Sequence, residues 1–288
     1  MQMLPYHPTP VEELHDPVFD QAGVRVLIKR EDLNNPLVPG NKWWKLKYNL
    51  TEAIRGKFNT LLTFGGAYSN HLLATAAAAR RLGFNSIGIV RGEEVLPLNR
   101  VLQQARQYSM ALHYVSRTEY RNKHEPSFIE KLHRKFGDFY LIPEGGTNRL
   151  AVRGVAEFAT ALPPDFDYLC CAVGTGGTLA GLINGLRGQK EVVGFVVLKG
   201  ATSLNEKISS FLDNPYNNWW LNHNWHHGGF AKMPAELTAF IQTFYRRHGF
   251  RPDGVYMAKL LRGVYGEIKT GTFKKGSTVL VLHSGGIN

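Results

Sequence analysis

An open α/β architecture, built on largely parallel sheet and divided into two lobes, is the fold class this sequence predicts. Three observations predict it. Strand-like apolar runs alternate with helix-like segments along most of the chain, the pattern of parallel strands joined through helices. The chain has 288 residues and 43% hydrophobic content, enough for a large core and for more than one lobe. Two glycine-rich turns, at 65–71 and 174–181, each lie between a buried-strand pattern and a helix start. That is the ligand side of an open parallel sheet.

Thr9-Pro10-Val11 opens the ordered part, and Val24–Ile28 is the first clear strand. It feeds a Pro- and Gly-marked turn that meets a helix running from Lys42 to Arg55, with Gly40-Asn41-Lys42 at the junction. A lysine there can project into a cleft, and the positive helix end favours its neutral amine. Such an amine is a nucleophile, able to form a Schiff base with an aldehyde cofactor. The same residue also reads as a solvated lysine on a surface turn. Asn59–Phe64 is a short buried strand ending in Gly65-Gly66-Ala67-Tyr68-Ser69-Asn70-His71, before an alanine-rich helix from Leu72 to Leu82. Ser69 and Asn70 therefore sit at the carboxyl end of a strand, although both are also favoured helix caps. His71 reads as a stray histidine at the helix start.

Ser86–Val90, a helix from about Leu98 to Ser109, and Leu112–Val115 continue the alternation with no cluster that suggests chemistry. Tyr120 to His133 reads as one charged surface helix. Phe139–Ile142 then runs into Pro143-Glu144-Gly145-Gly146-Thr147-Asn148, where the smaller lobe is expected to end. The predicted lobes are a larger one, 1–55 with 149–288, and a smaller one, 56–148.

Asp167–Val173 is the strongest buried strand and delivers Gly174-Thr175-Gly176-Gly177-Thr178 into a helix. Such a turn offers free backbone N–H groups and a positive dipole end to a phosphate, and Thr175 and Thr178 add hydroxyls. No Gly-Lys-Ser/Thr follows, so it is not a Walker A loop, and Leu179 stands where a dinucleotide fingerprint has its third glycine. A tight turn with no ligand is the alternative. After Val192–Leu198 the segment 214–227 looks irregular and holds three tryptophans and three histidines. Without an acidic partner or helical His spacing it reads as aromatic packing at a cleft mouth, not as a metal site. Pro234 to His248 is an amphipathic helix leading to Tyr256, and Thr278–Leu282 is the last strand, ending in His283-Ser284-Gly285-Gly286.

The net charge of +11, from 34 basic and 23 acidic residues, is spread without a long basic run, zinc-finger spacing or RNA-recognition motif. It reads as a solvated surface with some attraction for anions, not as a nucleic-acid interface. Adjacent Cys170 and Cys171 alternate faces in a strand and are poorly placed to bridge each other, which points to a reducing, cytoplasmic compartment. No stretch has the apolar length of a membrane span, and the first residues lack a signal-peptide pattern.

The motif Lys29-Arg30-Glu31-Asp32-Leu33, followed by Gly40-Asn41-Lys42 and Lys45-Leu46, resembles the lysine segment of pyridoxal-phosphate enzymes of the tryptophan synthase β-like fold type II. More narrowly, the chain resembles the branch holding aminocyclopropane-carboxylate deaminase and D-cysteine desulfhydrase. The likeness continues through Gly-Gly-x-x-Ser69-Asn70, the 174–178 loop, Pro252-Asp253-Gly254-Val255-Tyr256 and His283–Gly286. It implies pyridoxal 5'-phosphate as cofactor and Lys42 as its Schiff-base lysine. It further implies that Asn70 hydrogen-bonds the phenolic oxygen and that Ser69 contacts the substrate carboxylate or helps to move protons. By the same likeness, Gly174, Thr175, Gly176, Gly177 and Thr178 are expected to hold the phosphate, with Lys45 as charge partner. The likeness also implies that Tyr256 is an acid/base group or substrate contact and that Ser284 Oγ meets the pyridine nitrogen. A neutral hydroxyl there suits elimination over transamination.

The implied activity is deamination with β-elimination from a small amino acid, D-cysteine or a similar substrate, giving a 2-oxo acid and ammonia. Phe230 in place of a substrate-facing tyrosine and Met257 in place of a glutamate count against cyclopropane ring opening, a C–N hydrolase-type activity. A short tail ending at Asn288 is a further departure. A homodimer, with no membrane, metal or nucleic-acid partner, is the expected setting. A degenerate, non-catalytic cofactor binder and a nucleic-acid binder are the alternative classes.

Overall fold

The computed structural model describes residues 4–286; the reading of the chain's end at Asn288 lies outside the described residues. Asp16, accepting from Val18 N at 2.9 Å, starts α1 (Pro17–Ala22) between the hairpin partners β1 (Val11–Leu14) and β2 (Arg25–Lys29). Then come α2 (Asn41–Arg55), β3 (Thr60–Gly66), α3 (Asn70–Leu82), β4 (Asn85–Arg91), α4 (Arg100–Gln107) and β5 (Met110–Val115). Next are α5 (Arg117–Arg121), α6 (Pro126–Phe136), β6 (Tyr140–Ile142), α7 (Arg149–Thr160), β7 (Tyr168–Val173) and α8 (Gly177–Leu186). The chain closes with β8 (Glu191–Val196), α9 (Leu204–Ser209), β9 (Trp219–Asn222), α10 (Ala235–His248), α11 (Met257–Lys269) and β10 (Thr278–Leu282). Ser69, Asn99 and Asn148 cap α3, α4 and α7, each accepting from an amide of the first turn, as short polar side chains favour.

Two sheets result. The larger has six strands in the order β1-β2-β10-β7-β8-β9, and the smaller has four in the order β5-β4-β3-β6. Every pairing is parallel except β1 with β2. β7 is buried along its whole length, as a central parallel strand covered on both faces must be. Its alternating side chains enter two cores, Leu169, Cys171 and Val173 on one face and Tyr168, Cys170 and Ala172 on the other. Cys170 and Cys171 are buried free thiols, and burial pushes Cys171 up to about 12.

Elements β1, α1, α7 and α9 go unmarked in the sequence pattern, which differs from the structure at further places too. Pro126 lacks the N–H that a continuing helix needs and starts a new one, so the 120–133 region holds α5 and α6 rather than one helix. The segment 214–227 contains edge strand β9, parallel to β8. α11 goes unmarked because its first turn merges with the Tyr256 loop.

Helices α2, α7 and α8 pack where glycine lets backbones approach. A Cβ on Gly154 would overlap the Trp44 carbonyl, and one on Gly185 the Ala156 carbonyl. Asn49 and Asn148 exchange side-chain hydrogen bonds at 3.2 and 2.7 Å, and Tyr140 donates to Asn49 at 3.2 Å, tying α2 to both β6 and α7. Gly154→Ala tests this packing. Helix propensity favours alanine by ~1 kcal/mol, but the carbonyl it would meet is backbone and cannot rotate away, an overpacking cost of ~1–3 kcal/mol. Urea unfolding is expected to show a net loss of up to about 2 kcal/mol; a gain would show that α2 and α7 are not packed this closely.

Candidate active site

The carboxyl ends of both sheets border one cavity of about 280 Å³, lined by Lys42, Lys45, Ser69, Asn70, Tyr256 and Ser284, and by the 174–178 loop except buried Gly177. The sequence-predicted residues, scattered over more than two hundred positions, thus converge on one place.

Lys42 is placed by the turn before it. Gly40 has φ +71°, and a Cβ there would overlap the Ser284 carbonyl, so only glycine is tolerated. Asn34 accepts from Gly40 N at 2.9 Å and donates to Gly40 O at 3.0 Å, and Asn41 N donates to Ser284 O at 3.1 Å. Lys42, second in α2, is half-buried, with its Nζ donating to Asn41 Oδ1 at 2.9 Å. Burial lowers its pKa to about 8, against the opposing charge of Asp253. A substantial share of the amine is therefore neutral near physiological pH.

Lys45 lies one turn further on, with only 2% of its surface exposed. It donates to Gly145 O and, at 2.9 Å, to Thr147 Oγ1, which lies 2.5 Å from Thr175 Oγ1. Burial and repulsion from Lys42 and Lys207 hold its pKa well below the usual lysine value. No carboxylate pairs with it among the described residues. Nearby, Gly176 (φ +88°) turns the chain into α8, whose first turn has no side-chain cap. Asn41 Nδ2 donates to Thr178 Oγ1 at 2.8 Å, fastening the lysine helix to this loop. An uncapped helix start, two threonine hydroxyls and a buried amine lacking an anion make a donor set suited to a phosphate. Thr147 is a member that sequence reading passed over; the Gly145-Gly146-Thr147 turn was its only signal.

Ser69 caps α3, accepting from Leu72 N at 3.4 Å, so its capping role and its position at the cavity coexist. Asn70 follows on the same wall. His71 is not stray: it is 1% exposed, with Nε2 2.9 Å from Thr63 Oγ1. The single Thr63 hydroxyl proton goes to Ile142 O at 2.8 Å. Thr63 must therefore accept from His71, which places the ring proton on Nε2 and leaves Nδ1 without a partner. Burial, then Lys42 and Lys45, keep the ring neutral.

Tyr256 starts α11 and lies over the loop, its hydroxyl 3.4 Å from where a Cβ of Gly174 would stand. Burial and the negative charges of Asp253 and Glu144 push the phenol pKa up, so it stays protonated. Asp253 is held by the amides of Val255, Tyr256 and Met257 at 2.9, 2.9 and 3.1 Å. Phe230 packs edge-on against Tyr256, centroids 5.9 Å apart, and lines the cavity, whereas Met257 is fully buried. In the tryptophan- and histidine-rich segment, the acidic partners that sequence spacing did not show come from two later helices. His227 Nδ1 meets Glu236 at 2.9 Å, and Trp225 donates to Glu267 at 2.8 Å.

A family model of pyridoxal-phosphate dependent enzymes matches residues 3–285. A protein of Arabidopsis thaliana named bifunctional D-cysteine desulfhydrase/1-aminocyclopropane-1-carboxylate deaminase, mitochondrial, is 30% identical over 99% of this chain and 77% of its own length. D-cysteine desulfhydrase of Yersinia enterocolitica is 24% identical over 96% of this chain and 91% of its own. The crystal structure of an ACC deaminase homologue superposes with a TM-score of 0.82 at 27% identity, covering 99% of this chain and 92% of that one. With family model and fold in agreement over residues 3–285, the protein belongs to the pyridoxal-phosphate dependent enzymes of the tryptophan synthase β-like fold type II.

Proposed function

We propose that the protein is a deaminating lyase that eliminates the Cβ substituent of D-cysteine or a similar small amino acid. The observation that carries the reading is the amine of Lys42, its pKa lowered to about 8, in the same cavity as an uncapped, hydroxyl-rich loop and a protonated tyrosine. Pyridoxal phosphate, when bound, supplies an aldehyde for the amino group and an electron-withdrawing ring that acidifies the Cα–H bond. In this reading the amides of Gly174, Gly176 and Gly177, the hydroxyls of Thr175 and Thr178, and Lys45 hold the phosphate. Asn70 meets the phenolic oxygen, and Ser284 is the neutral partner of the pyridine nitrogen. Ser69 orients the substrate carboxylate. Lys42 Nζ takes the Cα proton, and the Tyr256 phenol, kept protonated by its surroundings, can give one to the departing sulfur. With one water, cysteine would yield pyruvate, hydrogen sulfide and ammonia.

The residues also bear on the alternatives. Buried Met257 offers no group to ring opening, which favours elimination over 1-aminocyclopropane-1-carboxylate deamination. Residues 56–148, which carry all four strands of the smaller sheet, serve in this proposal as the smaller lobe, and 1–55 with 149–288 as the larger. A cytoplasmic homodimer is the proposed setting, supported by the two unbridged thiols and the family likeness; light scattering should return twice the chain mass. No helix among the described residues is long and apolar enough to cross a membrane.

Two tests follow from the lysine. Wild-type protein loaded with cofactor should release ammonia and a 2-oxo acid from D-cysteine faster than from L-cysteine, and Lys42→Ala should lower the rate by about 10²–10⁴-fold. A Lys42-dependent visible absorbance band without turnover of either enantiomer would instead identify a non-catalytic binder. Because only the neutral amine captures an aldehyde, cofactor uptake by stripped protein should accelerate as pH rises through about 8 and level off above it. Stopped-flow absorbance checks this; a rate falling over that range would contradict the assignment.

A further inference from the structure

The catalytic cavity borders a second hollow of about 300 Å³, lined by Arg91, Arg117, Tyr120, Arg121, Lys123 and Glu144. Arg91 and Glu144 line both. Arg91 is the last residue of β4, in register with Gly66 of β3 and Val115 of β5. Its Nη2 lies 3.7 Å from where a Cβ of Gly66 would stand. The guanidinium therefore sits beside the loop that carries Ser69 and Asn70.

Its charge is available. Glu144 is already engaged, accepting from Tyr120 OH at 2.8 Å and pairing with Lys123 at 3.5 Å. Among the described residues, no carboxylate pairs with Arg91, Arg117 or Arg121. The Tyr120 ring holds Lys123 and Arg91 at 4.9 and 5.9 Å from its centroid, which keeps both cations at this wall. Four cations and one carboxylate thus surround the second hollow, which shares its Arg91 and Glu144 wall with the cavity that Ser69 and Asn70 line.

We infer that Arg91, backed by this hollow, favours over D-cysteine itself those similar small amino acids whose side chain ends in an oxyanion: a carboxylate, sulfonate or phosphate. The inference rests on the amino-acid reading above and narrows its substrate class; Ser69 keeps the α-carboxylate, and Arg91 reads the second anion. A planar guanidinium suits such groups through paired N–H donors.

Calorimetry on the cofactor-loaded protein, with both enantiomers of 2-aminobutanoate, glutamate and homocysteate, tests it. These share the α-amino acid head, lack a β-leaving group and differ in the terminal anion. Wild type should bind glutamate or homocysteate about tenfold or more tightly than 2-aminobutanoate. Arg91→Gln should bring the ratio close to one, and Arg91→Lys should keep part of it. Equal binding of all three by wild type would overturn the inference, as would an equal loss for all three in Arg91→Gln, which would put the guanidinium on the α-carboxylate. If the variants do not fold, the wild-type preference and its decline with rising salt decide the matter. Absence of a Lys42-dependent visible band sinks this inference together with the parent reading; a band without anion preference sinks this inference alone.

Discussion

The buried carboxylate of Glu31 is the fixed point on which the lysine depends. With 1% of its surface exposed, it accepts from Thr9 Oγ1 at 2.5 Å, Trp44 Nε1 at 2.8 Å, Asn34 Nδ2 at 2.9 Å and Tyr6 OH at 3.2 Å. Lys29 Nζ stands 3.8 Å away. A buried carboxylate without donors would be costly; here its donors come from the N-terminal segment, the loop after β2 and helix α2, so satisfying it brings the three together. Asn34 passes the constraint on, bonding both backbone groups of Gly40. Gly40 in turn lies against the backbone of Ser284. The Lys-Arg-Glu-Asp-Leu motif thus acts at a distance, through a carboxylate that positions Lys42 without touching it.

The second constraint is charge. Lys42 and Lys45 stand one helical turn apart, and Lys45 has no carboxylate partner among the described residues. Burial pushes both amines toward neutrality, against the charge of Asp253 at Lys42 and with added repulsion from Lys42 and Lys207 at Lys45. At Lys42 this favours the neutral amine that the proposed reaction needs as nucleophile and base. At Lys45 it leaves a donor cluster that an incoming phosphate would stabilise, because an anion restores the charged form. One arrangement of two cations thereby suits both ends of a pyridoxal phosphate molecule, the reactive aldehyde and the phosphate.

Much of this was readable from sequence because the signals were local. The buried run at 167–173 and the last strand at 278–282 stand within a residue of the structure, and each glycine turn lies against its strand. What stayed hidden depends on partners far apart in the chain. Thr147 joins Lys45 across 102 positions, and Arg91 matters only once β4 is paired beside β3 in register with Gly66. β9 is a half-buried edge strand of only four residues, too short to stand out from the polar stretches on either side of it. His71 looked incidental because helix-start histidines are usually exposed; its burial against Thr63 comes from tertiary packing.

The central claim is that Lys42, and no other buried lysine, carries the cofactor. Lys259 is the relevant competitor, since burial lowers its pKa to about 8 as well, and its amine donates to Gly229 O at 2.5 Å. Borohydride reduction of the cofactor-loaded protein, followed by peptide mass mapping, separates the two. The account predicts a pyridoxyl adduct on the peptide containing Lys42 and on no other. An adduct at Lys45 or Lys259, or none at all, would contradict it.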